Sequence, residues 1–247
     1  MTTEGSPSPE ADAPEMLSGH KTEPSTVRLV VSAAKKLNLA DFENAVPALY
    51  ELAVVNETSS PLSDLTVQLT SDPPFVKPRT WKLDSVCPNE TYHLRDLDVQ
   101  LDGPLLARLV EAESSSLCFE LRSHEQPDIA LARHESSVEL LARNQWGGVG
   151  HLPEMLAAFV QPNDPAIDRL LKKAALALQS TGRSGSIDGY TQGPKRAWEL
   201  SSAIWSAVLQ HKLHYALPPA SFEHRGQKVR SPSQVLDCGL GTCLDLA

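Results

Sequence analysis

Leu65-Thr66-Val67-Gln68-Leu69 alternates apolar and polar residues strictly, and Tyr50-Glu51-Leu52-Ala53-Val54-Val55-Asn56 alternates over most of its length. Successive side chains of a strand point to opposite faces, so this period of two predicts strands with one face turned towards a core. Outward from these two stretches, Val27–Ala33 is a β-branched run, and 81–83, 92–99, 117–122 and 138–141 are further strand candidates. Asn56-Glu57-Thr58, Ser71-Asp72-Pro73-Pro74, Pro88-Asn89-Glu90 and Glu125-Gln126-Pro127 separate them with turn-forming chemistry. Short strands punctuated in this way predict a small antiparallel β-sandwich over residues 25–143. Within it, 105–112 carries Leu105, Leu106, Leu109 and Val110 at a spacing that suits either a strand or a helix of one or two turns.

The 247 residues, 41% hydrophobic and 21% charged, suffice for two ordinary domains. A formal charge of -9 provides no broad electrostatic footprint for nucleic acid, although a local basic patch remains compatible with it. No run approaches the ~18 apolar residues of a membrane span, and the N-terminus has no signal-peptide pattern, so a soluble cytoplasmic chain is expected. Cys87, Cys118, Cys238 and Cys243 lack the density of a secreted disulfide scaffold and are expected as reduced thiols, the first two as ordinary sandwich residues. Residues 1–24, rich in Pro, Ser, Glu, Thr and Ala, are expected to form a disordered tail. The sequons at Asn56 and Asn89 are read as turn chemistry.

At 144–151, Asn-Gln-Trp-Gly-Gly-Val-Gly-His, the composition changes. The glycine spacing meets no phosphate-loop pattern, so the segment reads as a hinge, with Trp146 packed between two units and His151 structural and unpaired. Residues 152–247 read as mainly helical. A short helix opens at Leu152-Pro153-Glu154; a second starts at the Asp164 cap and Pro165 and places Ile167, Leu170, Leu171, Ala174, Ala175 and Leu178 on one face. A third is expected from Pro194 to about His214, with Trp198 and Trp205 in the core. His211 and His214 have no ligand partner in register, and Cys238 and Cys243 form only a Cys-x₄-Cys pair, so no metal and no cofactor are expected.

The final stretch, Val235-Leu236-Asp237-Cys238-Gly239-Leu240-Gly241-Thr242-Cys243-Leu244-Asp245-Leu246-Ala247, brings a cysteine onto the first turn of a helix. Thr242 as N-cap with Asp245 at the third helical position makes a variant capping box. Cys243 at that position is the candidate catalytic residue, because a helix start favours the thiolate, the nucleophilic form. His224, 19 residues upstream, is the nearest histidine on the N-terminal side.

The run from Arg230 to Ala247 resembles the nucleophile motif of transglutaminase-like cysteine folds, in which a Gly-x-Cys-x-Asp turn opens the central helix. The longer stretch from Asn144 through Tyr190, Trp198, Trp205 and Pro218-Pro219-Ala220-Ser221-Phe222-Glu223 is similar to the N-terminal region of large bacterial proteins that carry a superfamily 1 helicase further along, a region of unknown function. Such proteins are associated with DNA processing or defence against foreign DNA. The resemblance implies an α+β multidomain chain: an Ig-like antiparallel sandwich followed by a partial transglutaminase-like domain, cut as a fragment before the histidine and acid that would complete the Cys243 site. It implies a non-catalytic accessory role in this segment. The implied partner is the downstream helicase domain or another protein. Direct nucleic-acid binding and membrane association are not expected, and no ATPase motor motif occurs between residues 1 and 247. The alternative is a thiol hydrolase or acyl-transferase centred on Cys243 in the intact protein.

Overall fold

The computed structural model describes residues 27–246, the Tyr190 side chain excepted, and the tail expected over 1–24 lies outside them. The chain begins with β1 (Val27–Ala33), β2 (Lys36–Leu37), α1 (Leu39–Glu43), β3 (Leu49–Asn56), β4 (Leu62–Asp72), β5 (Arg79–Val86) and β6 (Glu90–His93). It continues with α2 (Gly103–Arg108), β7 (Glu113–Ser123) and β8 (Gln126–Leu140). These strands form a three-stranded sheet in the order β1-β3-β6 and a five-stranded sheet in the order β2-β8-β7-β4-β5. All their pairings are antiparallel except the short β2–β8 contact.

The alternation of Leu65, Val67 and Leu69 places all three in the core at 1%, 0% and 0% exposure, while Gln68 between them faces solvent. Leu52 and Val54 on β3 face them, with Phe75, Phe119 and Leu121 filling the same continuous apolar cluster. Each such side chain contributes about 1.5–3 kcal/mol by leaving water. The strand expected at 138–141 is the end of a much longer β8. Its first five residues, 126–130, are all exposed and so carry no period-two signal, yet it pairs with β7 from Ser123↔Gln126 to Glu113↔Leu140. The strand expected over 92–99 stops at His93; the Leu94 N–H still donates to Leu52 of β3, and the backbone then crosses so that Gln100 and Leu101 meet Lys77 and Val76. Residues 103–108 resolve the strand-or-helix ambiguity as helix, because Asp102 caps the Leu105 N–H and Pro104 occupies the first turn.

The remainder contains β9 (Gln145–Trp146), a 3-10 turn over Pro153–Phe159, α3 (Pro165–Ser180), α4 (Pro194–Leu209), β10 (His214–Tyr215) and α5 (Phe222–Arg225). After these come β11 (Gln227–Lys228), α6 (Pro232–Cys238), β12 (Leu240–Gly241) and α7 (Cys243–Leu246). The Asp164 carboxylate accepts from the Ala166 N–H and starts α3 where expected. Leu170, Ala174 and Leu178 then pack on Leu200, Ala203 and Ala207 of α4. Two expectations fail on α4. It ends at Leu209 rather than near His214, and its tryptophans are not core: Trp198 is 74% exposed and Trp205 64%. At ~100° per residue, each tryptophan lies about 200° from the alanine or leucine two positions away that faces α3. The small Ala203 and Ala207 allow close helix approach, and the indoles are left on the opposite side.

The glycine-rich segment is tied closely to the sandwich. The Lys36 ammonium donates to the carbonyls of Gly147, His224 and Arg225, and the Asn38 amide donates to Gln145. β9 pairs antiparallel with β11. Gly226 has φ +84, and a Cβ there would sit 1.8 Å from the Trp146 carbonyl, so this close approach admits only glycine. Trp146 itself is buried at 5% exposure. His151, read from the sequence as unpaired, lies 3.1 Å through Nε2 from Oδ2 of the fully buried Asp41.

Candidate thiol site

The elements that position Cys243 are short and depend on one another. Ser231 and Gln234 form a reciprocal capping box that starts α6, and Gly239 at φ +65 ends it in the left-handed region. β12 then pairs in parallel with β10, setting Tyr215 opposite Gly241, two residues before the cysteine. The chain turns at Thr242 and enters α7 with Cys243 as its first residue.

Thr242 and Asp245 make the expected cap: the Thr242 N–H donates to Asp245 Oδ2 at 2.8 Å, and the Asp245 N–H donates to Thr242 Oγ1 at 3.3 Å. The Asp245 side chain has 0% exposure. Its carboxylate also accepts from the Arg230 N–H at 2.8 Å and from Arg230 Nη1 at 2.9 Å. Burial opposes ionisation of Asp245, but the hydrogen bonds from Arg230 and Thr242 outweigh it and hold the carboxyl below its ordinary value. Behind the cap, Gln227 Nε2 donates to Thr242 Oγ1 at 2.9 Å, while Gln227 Oε1 is buried with no partner.

Cys243 is exposed. Tyr215 lies beside it, and its phenol is held above its ordinary value by partial desolvation first and then by its interaction with Cys243. The arrangement thus supplies a presented thiol, a tyrosine beside it and a hydrogen-bonded cap beneath it.

His214 precedes Tyr215 on β10, while His211 and His224 are engaged away from Cys243. The Lys173 ammonium donates to His211 Nε2 at 2.8 Å. His224 directs its carbonyl to Lys36 and lies against Gly148, and its exposed imidazole makes no hydrogen bond to Cys243. Cys238, the other thiol of the Cys-x₄-Cys pair, is exposed at the end of α6. Among the described residues no group of three or more His, Cys, Asp or Glu side chains is placed to hold a metal. Sequence reasoning missed Tyr215, Gln227 and Arg230. Their partners lie 15 or more residues away, and no local pattern marks them.

No family model matches this chain, and no curated protein matches it. Among solved structures it is similar to the CARDB domain of a Pyrococcus furiosus protein, crystallised in complex with di-metal ions, at 17% identity and a TM-score of 0.28, over 47% of this chain and 92% of that one. Likeness at that level assigns no function. What stands is a mixed α+β chain whose antiparallel sheets pack as a sandwich beside a helical part. No helix among the described residues is long and apolar enough to cross a membrane.

Proposed function

We propose that this chain is a non-catalytic accessory region of a helicase-type DNA-processing protein, in which the sandwich carries and orients a helical unit and that unit binds the motor or an adjoining domain. The observation that carries this reading is the outer face of α4. Trp198 and Trp205 stand exposed seven residues apart, with Ser201 and Ser202 between them and Leu209, 57% exposed, beyond. Tryptophan is enriched and charge depleted at the centres of protein interfaces. Between Lys195 and the end of α4 the exposed side carries no charged residue, since Glu199 is turned to Arg183 and Arg196.

The test is calorimetric titration of this chain against the purified helicase motor of the protein that carries it. Binding weakened about thirty-fold or more by Trp198→Asp with Trp205→Asp supports the reading, since central tryptophans contribute about 2 kcal/mol or more. No binding, or binding indifferent to both substitutions, overturns it. Direct DNA binding is expected to be weak, given the charge of -9. Tight binding with steep salt dependence would replace the accessory reading with a nucleic-acid one.

A second reading rests on the exposed Cys243 at the helix start and the pinned Asp245 beneath it: a transglutaminase-like thiol hydrolase or acyl-transferase using Cys243 as nucleophile, with base and orienting acid supplied by the intact protein. The rate of Cys243 alkylation against pH, with Cys238 as internal reference, separates the two. An inflection well below about 8.5 favours the thiol enzyme, and an ordinary one removes it.

A further inference from the structure

A cavity of about 750 Å³ opens in the sandwich between α1 with the loop that follows it and the segment 97–104 leading into α2. Cavities of about 300–1,000 Å³ with mostly apolar walls and a few polar groups are the usual form of small-molecule sites. Here Phe42, Val46, Leu97, Val99 and Leu101 provide apolar wall. Phe42 is 42% exposed on this side and its ring covers Gly103, where a Cβ would come within 2.4 Å of it; the glycine lets the ring lie flat against the turn. The cavity belongs to the sandwich and is independent of Cys243 and of the α4 face.

The polar groups around it are predominantly acidic. Asp41, Asp98 and Asp102 line it, against Lys77 as the lining base. Lys77 donates to the Gln100 side chain, and Asp102 is engaged in capping α2. The Asp98 carboxylate has no ion-pair partner among the described residues, and the side chain is at the exposed rim. Asp41 is fully buried: its Oδ2 is taken by the Asn38 N–H and by His151, and its Oδ1 has no partner. An apolar container with an unmatched carboxylate at its rim selects for a molecule with an apolar body and a cationic head.

We propose that this cavity binds a small amphipathic amine, its apolar body against Phe42, Val46 and Val99 and its ammonium group at the Asp98 end. The test is a two-dimensional NMR titration of the protein with phenethylamine, and in parallel with 3-phenylpropionate and 2-phenylethanol, which keep the aromatic body and exchange the head for an anion or a neutral hydroxyl. The expected result is saturable shifts confined to the amides of 41–49 and 97–104, with the amine binding about five-fold or more tighter than the carboxylate, the scale of one partly exposed charge contact. Asp98→Asn should remove the preference for the amine while leaving phenylethanol binding unchanged, and Val99→Trp should abolish binding of all three by filling the space. Equal or stronger binding of the carboxylate overturns the ligand class. Absence of saturable shifts at these amides in the native protein overturns the site, and the Asp98→Asn arm gives its answer even if Val99→Trp does not fold.

Discussion

The sandwich and the helical part are built on different scales of burial. Between the two sheets lie Phe75, Phe119 and a dozen or more leucines and valines, many of them fully buried, in one continuous cluster. The α3–α4 pair buries Leu170, Ala174, Leu178, Leu200, Ala203 and Ala207, half of them alanine, and its largest apolar side chains point outward. Buried apolar area is the main favourable term in folding, so the sandwich is expected to stand by itself while the helical part draws on capping, hydrogen bonds and its junction with the sandwich. The exposed tryptophans Trp198 and Trp205 lie in this less deeply buried part.

The comparison is most severely tested in the core. Phe119→Ala, at a side chain with 0% exposure, should cost about 3–5 kcal/mol in urea unfolding and unfold the sandwich. A loss below about 1 kcal/mol would mean that the sandwich is not the stable unit. Next comes the junction. Lys36 holds three carbonyls across it, and Lys36→Met should cost about 1–3 kcal/mol and split one unfolding transition into two, read by tryptophan fluorescence against far-ultraviolet dichroism. A single unchanged transition would show that the helical part does not lean on this contact.

A smaller effect is expected at Asp245. Its carboxyl is held below its ordinary value in the folded state, so its contribution is complete above the unfolded value of about 3.9 and is lost as pH falls through the lower folded value. Asp245→Asn should therefore lower amide-exchange protection at 242–246 at neutral pH, by about 1–2 kcal/mol, and make little difference in strong acid. Protection that does not depend on pH in the native protein would count against this anchoring. Smallest of all, Trp205→Ser should change folding stability by less than about 0.5 kcal/mol despite removing an indole. A large loss there would place Trp205 in the core after all and remove the contrast between the two faces of α4.

Much of the sandwich was legible because strand faces are a local property. Leu65, Val67 and Leu69 declare their buried side within five residues, and Val27–Ala33 is a strand over the whole expected range. The long β8 was legible only at its buried end, where Val138 and Leu140 face the core; along its exposed first residues nothing requires alternation. The short α1 carried its signal in the Asn38–Asp41 box, which is easily passed over in a run of only five helical residues. In the thiol site, the cap from Thr242 to Asp245 was readable because its members lie three residues apart. The partners Arg230, Gln227 and Tyr215 were not, because they arrive through the separate pairings of β11 with β9 and of β10 with β12.

The residues themselves determined the strand periodicity, the Asp164 and Ser231 helix starts, the apolar face of α3 and the position of Cys243 at a helix opening, each set by neighbours within a few residues. The tertiary structure alone decided which side of α4 is buried, that His151 meets the buried Asp41, that Tyr215 lies beside Cys243, and that a cavity opens beneath Phe42. The reason is physical. A helix with alanines on one side and tryptophans on another has two faces that could be apolar cores, and only the surface presented by α3, which fits the alanines at close approach, selects between them.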